Sequence, residues 1–347
     1  MLLFIENRTI WEERKSQVPR VTLMLSKMAN YCMMTIQNVA KTCLKTRPFV
    51  LGIMAVYNEV DIVEQVVRHM RAQYIPLVVI DNGSTDGSFD LLKRCLSDGI
   101  VQLSRIETDF FELEFLLRAL YTFASVYEPE WILVLDADAF FESPSLRFNL
   151  KEAISREGSK GHNLIQFNNF EFWPTEKDQT STEPDVRKKL RYYSWNDNWQ
   201  FRCFKNYPGT SINETGGHLP IFPLHVRVNL SPEKFVLRHY PIRSYKQGLK
   251  KVFEDRLPRY SKDRKRKWVL PKYFKFGREE RFFVIESSKL TRYNDDGKWC
   301  LERKFDGHRG YELPNLNSSS EIETEMENHR KTIGSTGPSF GTGGRQQ

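Results

Sequence analysis

The stretch FVLGIMAV, Phe49–Val56, is an unbroken apolar run of strand length, followed at once by YNE, Tyr57–Glu59. An apolar run of this length without alternation is the pattern of a strand covered on both faces, as in a parallel sheet. After it, Ile62, Val66 and Met70 mark a helix that begins near Asn58. A second buried strand, IPLVVID, runs into the turn NGSTDGS, where Asp86 is placed to cap a helix carrying Phe89, Leu92 and Leu96 on one face. GIVQLSRI predicts a third strand, FFELEFLLRALYTFASVY a helix, and WILVLD the next strand. Strands and helices alternating with short connections define an α/β fold: a mostly parallel sheet with helices on both faces. Ligands of such sheets bind at the carboxyl ends of the strands. Three polar clusters fall there: Asn58-Glu59, the Asp81 turn, and Asp136 with Asp138.

The rest of the chain divides around this core. Residues 1–47 read as a helical N-terminal extension, with Leu25, Met28, Ala29, Cys32, Ile36 and Val39 at helical spacing, and Pro48 ends it. Residues 48–240 are the α/β domain. Residues 241–313 form a basic C-terminal extension, and residues 314–347, polar and Gly/Ser-rich, read as a disordered tail. The net charge of +8 over 347 residues suits an anionic partner such as a nucleotide, a phosphate or an acidic membrane surface, without the density of a dedicated nucleic-acid binder. Five scattered cysteines with no C-x-x-C pair imply reduced thiols and a cytoplasmic setting. Neither a signal peptide nor a membrane span is expected: the apolar start meets Glu6 and Arg8 at once, and Leu23–Val39 is interrupted by Lys27, Asn30, Gln37 and Asn38.

Each cluster has a plain structural reading and a chemical one. Asp136 and Asp138 stand one residue apart at the end of WILVLD. Aspartate after a strand is common in turns. Yet two hard oxygen donors with no His or Cys nearby also suit Mn²⁺ or Mg²⁺ shared with a diphosphate, an ion that neutralises a leaving phosphate. Asp81 ends its strand where a carboxylate accepts hydrogen bonds from ribose hydroxyls or a base N–H, while Gly83 and Gly87 allow tight turns and close approach. Ser84 and Asp86 read more simply as turn and cap. Asn58 and Glu59 suit the first turn of a helix through the helix dipole.

The three clusters in this order, VLGIMAVYNE, LVVIDNGSTDGS and WILVLDADAFF, resemble family-2 glycosyltransferases of the GT-A (Rossmann-like) fold, over roughly Phe49 to Phe141. The resemblance is to a bacterial-type, non-processive branch, since no Q-x-x-R-W element is present. It implies a metal-dependent, inverting transfer of a sugar from a nucleotide-diphosphate sugar to a glycan, lipid-linked or protein acceptor. It places Val56, Asn58, Glu59 and Asp81 around the base and ribose, Asp138 on the metal, and Asp136 at the ribose or metal edge. Arg118, the one cation in the helix after Asp109, is a candidate for the diphosphate.

Inverting transfer needs a base for the acceptor hydroxyl, ordinarily a carboxylate. Glu171 in NNFEFWP, Asp197 in YYSWNDNWQFR and Glu214 in NETGGHLP are the candidates. Phe172, Trp173, Trp195 and Trp199 suit either sugar stacking or core packing. For a third metal ligand, His239 comes first and His218 second. Arg238, Arg243, Lys246 and Lys250 are candidates to face the leaving group. The basic zone Arg259–Arg281, with Trp268, Tyr273, Phe274 and Phe276 interleaved, suits a solvated helical face or peripheral docking on an anionic membrane; no nucleic-acid signature supports a nucleic-acid partner.

Three other readings share parts of this pattern. A nucleotidyltransferase would place a Gly-rich phosphate loop after the first strand, where YNEVDIV stands. A haloacid-dehalogenase phosphatase would carry its D-x-D after the first strand, not after several. A non-catalytic nucleotide- or sugar-binding module on the same scaffold differs from an enzyme only in turnover.

Overall fold

In a computed structural model of the chain, the residues described are 35–41, 46–108, 112–198, 200–260, 276–302 and 316–335. Two sheets share the work. The first has seven strands in the order β1(Thr35–Lys41), β4(Ile100–Glu107), β3(Leu77–Asp81), β2(Val50–Val56), β5(Trp131–Asp136), β10(Cys203–Lys205), β7(Leu164–Ile165). Its centre, β4-β3-β2-β5, is parallel throughout, and the flanking β1, β10 and β7 join antiparallel to their neighbours. The fold class read from the sequence is thus the one observed: a largely parallel α/β sheet of Rossmann-like, GT-A order.

The apolar strands explain this order. Of β2, only Ala55 is less than fully buried, and all five residues of β3 are buried. Helices α1(Val63–Ala72), α2(Ser88–Arg94) and, later in the chain, α4(Leu150–Ser159) pack on one face; α3(Leu113–Ser125) covers the other. β2 sits so close to its neighbours that a Cβ on Gly52 would meet the side chains of Leu77 and Leu135 at 2.5 and 2.6 Å, so glycine is needed for that spacing.

The second sheet has the order β12(Thr291–Arg292), β9(Tyr192–Asn196), β8(Phe167–Trp173), β11(Phe235–His239), β6(Ala139–Glu142). Here β8 and β11 run parallel and the other pairs antiparallel. The D-A-D segment is the corner where the chain leaves the first sheet at Asp136 and enters the second at Ala139. That corner is why two carboxylates interrupt an otherwise apolar run: they cap two sheets that meet.

A helical segment follows β11: α6(Tyr245–Leu249), a π-helical stretch Lys250–Arg256, and α7(Leu257–Tyr260). α5(Val186–Lys189) is a single turn. The last element, α8(Ser319–Ser335), packs Ile322 and Met326 into the core beside α3.

Two expectations need correction. Residues 35–41, assigned by helical spacing to an N-terminal helix, are an edge strand pairing with β4 from Thr35↔Glu107 to Lys41↔Gln102. The bare edge of β4 offers a row of backbone partners, and that pairing overrides a three-to-four-residue apolar spacing. Residues 1–34 of that expected helix lie outside the described residues. The tail expected to be disordered contains α8, because three apolar residues, Leu316, Ile322 and Met326, reach the core. Trp199, Trp268, Tyr273 and Phe274 also lie outside the described residues.

Candidate active site

The carboxyl ends of β2, β3 and β5 and the last residues of β8 and β11 surround a cavity of about 340 Å³. Val56, Glu59, Asp136, Asp138, Glu171, His218 and His239 all line it, so residues from four distant parts of the sequence are brought together. Asn58 takes the left-handed backbone conformation, φ 55°, at the exit from β2. Its side chain accepts from the Thr85 amide at 2.8 Å and donates to Asp255 at 2.6 Å. Asp86 accepts from the amides of Ser88 (2.9 Å) and Val60 (3.0 Å), which ties the start of α2 to the loop after β2; the N-cap itself is Gly87, not Asp86 as expected.

Asp81 is fully buried at the end of β3. One carboxylate oxygen accepts from the Ser84 amide and from Arg105, both at 3.1 Å; Oδ2 is buried and accepts no hydrogen bond among the described residues. Burial pushes its pKa up, and Ser84 and Arg105 offset this only in part. A buried oxygen left without a donor is costly unless a ligand supplies one. Beside it, Arg259 donates to the Asn82 side chain at 2.5 Å and lies over the Tyr57 ring at 3.9 Å from its centroid.

The other carboxylates meet a set of cations, mostly from residues 238–256. Glu59, only 2% exposed, accepts from Arg243 (2.6 Å), Lys251 (2.7 Å) and Arg256 (3.2 Å). Arg243 also clamps Asp61 at 2.7 Å through Nε and at 2.8 Å through Nη2. Burial would raise the Asp61 pKa, but that guanidinium holds it below the usual value. Asp138 accepts from Lys251 Nζ at 2.6 Å on Oδ2 and faces His239 Nε2 at 3.3 Å on Oδ1. Burial raises its pKa, yet Lys251 and then His239 outweigh burial and hold it well below the carboxylate range. His239 Nδ1 faces Glu171 at 3.5 Å. Burial would lower the imidazole pKa, but Asp138 and Glu171 outweigh it and raise it to about 9. Asp136 pairs at 2.8 Å with Arg202, whose side chain is 4% exposed.

The expected Mn²⁺ or Mg²⁺ on Asp136, Asp138 and His239 must be tested on this geometry. The donor types suit such an ion. The arrangement does not: Lys251 stands on Asp138 at 2.6 Å, Arg202 on Asp136 at 2.8 Å, and both ring nitrogens of His239 face carboxylates. Among the described residues, no three His, Cys, Asp or Glu side chains form a group able to hold a metal ion.

Of the other expected residues, Glu171 lines the cavity and Asp197 does not. Glu214 and Arg118 lie together in a second, smaller cavity, where Glu214 is held by Ser211 and by Asn213 at 2.9 Å. Phe172 stacks on Tyr240 at 4.8 Å inside the core, while Trp173 lines the main cavity. Arg238 is buried over Tyr293 and Phe172 rather than facing the cavity, and Lys246 and Lys250 are exposed. Arg243 reaches the site as anticipated, through Glu59. Lys251, Arg202 and Arg256 were not anticipated, although RSYKQGLKKVFEDR offered a signal: a dense run of cations directly after His239.

Comparison with known proteins bears on this site. Residues 53–208 match the model of the family described as glycosyl transferase family 2. That matched segment overlaps the stretch whose motifs resemble the same family. No curated protein matches the chain. Among solved structures it is similar to S. aureus TarS 1–349 in complex with UDP, at 13% identity over 67% of this chain and 74% of that one, with a TM-score of 0.32. Strand order and register, not this likeness, carry the fold assignment.

Proposed function

We propose that the protein is a glycosyltransferase that moves a sugar from a nucleotide-diphosphate sugar to an acceptor hydroxyl with inversion. One observation carries this reading: Glu59, Asp136 and Asp138 line one cavity at the carboxyl ends of adjacent parallel strands, and Asp81, the residue before the lining Asn82, has a buried oxygen with no hydrogen-bond partner among the described residues. That oxygen receives the nucleoside, and the D-A-D corner faces the diphosphate.

Glu171 is the base, because among the three carboxylate candidates it is the one lining the cavity with Asp138. It takes the proton of the acceptor hydroxyl as that oxygen bonds to the anomeric carbon. The bond from that carbon to the diphosphate breaks, and its electron pair leaves with the diphosphate. His239 lies between the two carboxylates, 3.3 Å from Asp138 and 3.5 Å from Glu171. The expected metal ion has no step in this account, since its ligands are engaged with Arg202, Lys251 and one another.

The test is thermal stability against UDP-, GDP-, dTDP- and CMP-sugars. Ligand at about 100 times its dissociation constant stabilises the fold by about 2.7 kcal/mol. A shift with one nucleotide class, followed by transfer to acceptors, supports the enzyme. No shift with any donor refutes the reading, and a shift without donor hydrolysis or transfer points to the binding module instead.

A further inference from the structure

Lys251 lies at the point of the site where charge on a leaving diphosphate would need compensation. Its ammonium bridges Glu59 Oε1 at 2.7 Å and Asp138 Oδ2 at 2.6 Å, and its side chain is 9% exposed while lining the cavity. An ammonium has three N–H donors. The two carboxylates take two, which fixes the group in place and leaves the third for an oxygen of a bound diphosphate. The backbone around it is built for this placement. Residues 250–256 form a π-helical turn, whose wider period brings Lys251, Asp255 and Arg256 to one side. Asp255 is pinned by Asn58 at 2.6 Å, and Arg256 by Glu59 at 3.2 Å. The turn is thus stapled to the loop after β2 one turn beyond Lys251.

Resting on the glycosyltransferase reading above, we propose that Lys251 is the resident cation of the donor site. It neutralises the departing nucleoside diphosphate in place of a divalent metal, and nucleotide binding here needs no metal. In the transfer step, the bond from the anomeric carbon to the β-phosphate oxygen breaks, and the electron pair passes to that oxygen. The Lys251 N–H then hydrogen-bonds the new charge without giving up its proton. A tethered ammonium costs no ordering of an ion from solution at each turnover, and its two carboxylate partners hold it charged.

The experiment is calorimetric titration of the full chain with UDP, GDP, dTDP and CDP, each in excess EDTA and again in MnCl₂. The inference expects the nucleotide that binds to do so in EDTA with a Kd within about twofold of that in Mn²⁺. Lys251→Met should weaken that diphosphate by about tenfold or more while leaving the corresponding nucleoside unaffected. Lys251→Arg should restore part of the loss. Binding that disappears in EDTA and returns with Mn²⁺ overturns the inference while leaving the donor site standing. Absence of binding in both conditions overturns the donor site, and this inference with it. Should Lys251→Met not fold, the wild-type comparison alone decides.

Discussion

Asp81 ends β3 with no exposed surface, one oxygen held by Arg105 and Ser84 and the other unbonded among the described residues. A neutral amide there keeps the shape and loses the charged acceptor. Asp81→Asn is expected to weaken nucleotide binding about 10- to 100-fold, the range of a hydrogen bond to a charged group, with folding retained. Titration of the variant beside wild type checks this, and an unchanged Kd removes Asp81 from the donor site. Glu171 lines the cavity. Glu171→Gln should lower kcat by about 10²- to 10⁴-fold and leave nucleotide affinity unchanged, since the base acts on the acceptor and not on the donor. A variant with wild-type kcat would pass the role to another carboxylate. These roles differ in how visible they were. Asp81, Asp136 and Asp138 were legible because a carboxylate ending an apolar run is conspicuous. That Glu171, and neither Asp197 nor Glu214, lines the cavity was not, because it depends on how β8 pairs with β11 in space.

At the scale of elements, α8 is the clearest case of context deciding structure. Its sequence is polar, and a lone helix of this kind is marginal in water. It forms because Ile322 is fully buried and Met326 nearly so against the face that carries α3. Ile322→Ala should therefore destabilise the fold by about 2–4 kcal/mol through the lost burial and the cavity left behind. Urea denaturation measures this, and a change below about 0.5 kcal/mol, usual for exposed sites, would mean that α8 does not pack as described. β1 follows the same logic with backbone groups instead of side chains: an edge that needs partners recruits a segment whose own spacing pointed to a helix.

At the scale of the whole molecule, the two sheets are joined through buried polar contacts as well as apolar ones. His69, on α1, contacts the Phe141 carbonyl of β6 at 2.9 Å through Nε2 and Arg187 at 3.3 Å through Nδ1. Burial lowers its pKa below 6.5, and the Phe141 carbonyl only partly opposes this. The folded state thus prefers the neutral ring, with Nε2–H donating and Nδ1 accepting. For a group with a depressed folded pKa, the unfolded chain binds more protons as pH falls. The stabilisation is complete above the unfolded pKa and is lost as pH drops through the folded one. Wild type should lose stability between about pH 7 and pH 5 relative to His69→Gln, which keeps an N–H for Phe141 but does not titrate. Melting temperatures of both proteins across this range test it, and parallel curves would show that His69 carries no such linkage.

The sequence by itself determined the parallel core, because a strand buried on both faces has to be apolar throughout. It also determined that Asn58, Glu59, Asp81, Asp136 and Asp138 share one edge, because parallel strands all end on the same side. Only the tertiary structure decided what those carboxylates meet. Glu59 and Lys251 are far apart in sequence, and the pairing of Lys251 with both Glu59 and Asp138 depends on a π-helical turn that shifts which residues share a face. No local periodicity encodes that shift. That Asp136 meets Arg202 and Asp138 meets Lys251 is decided by packing between segments distant in sequence.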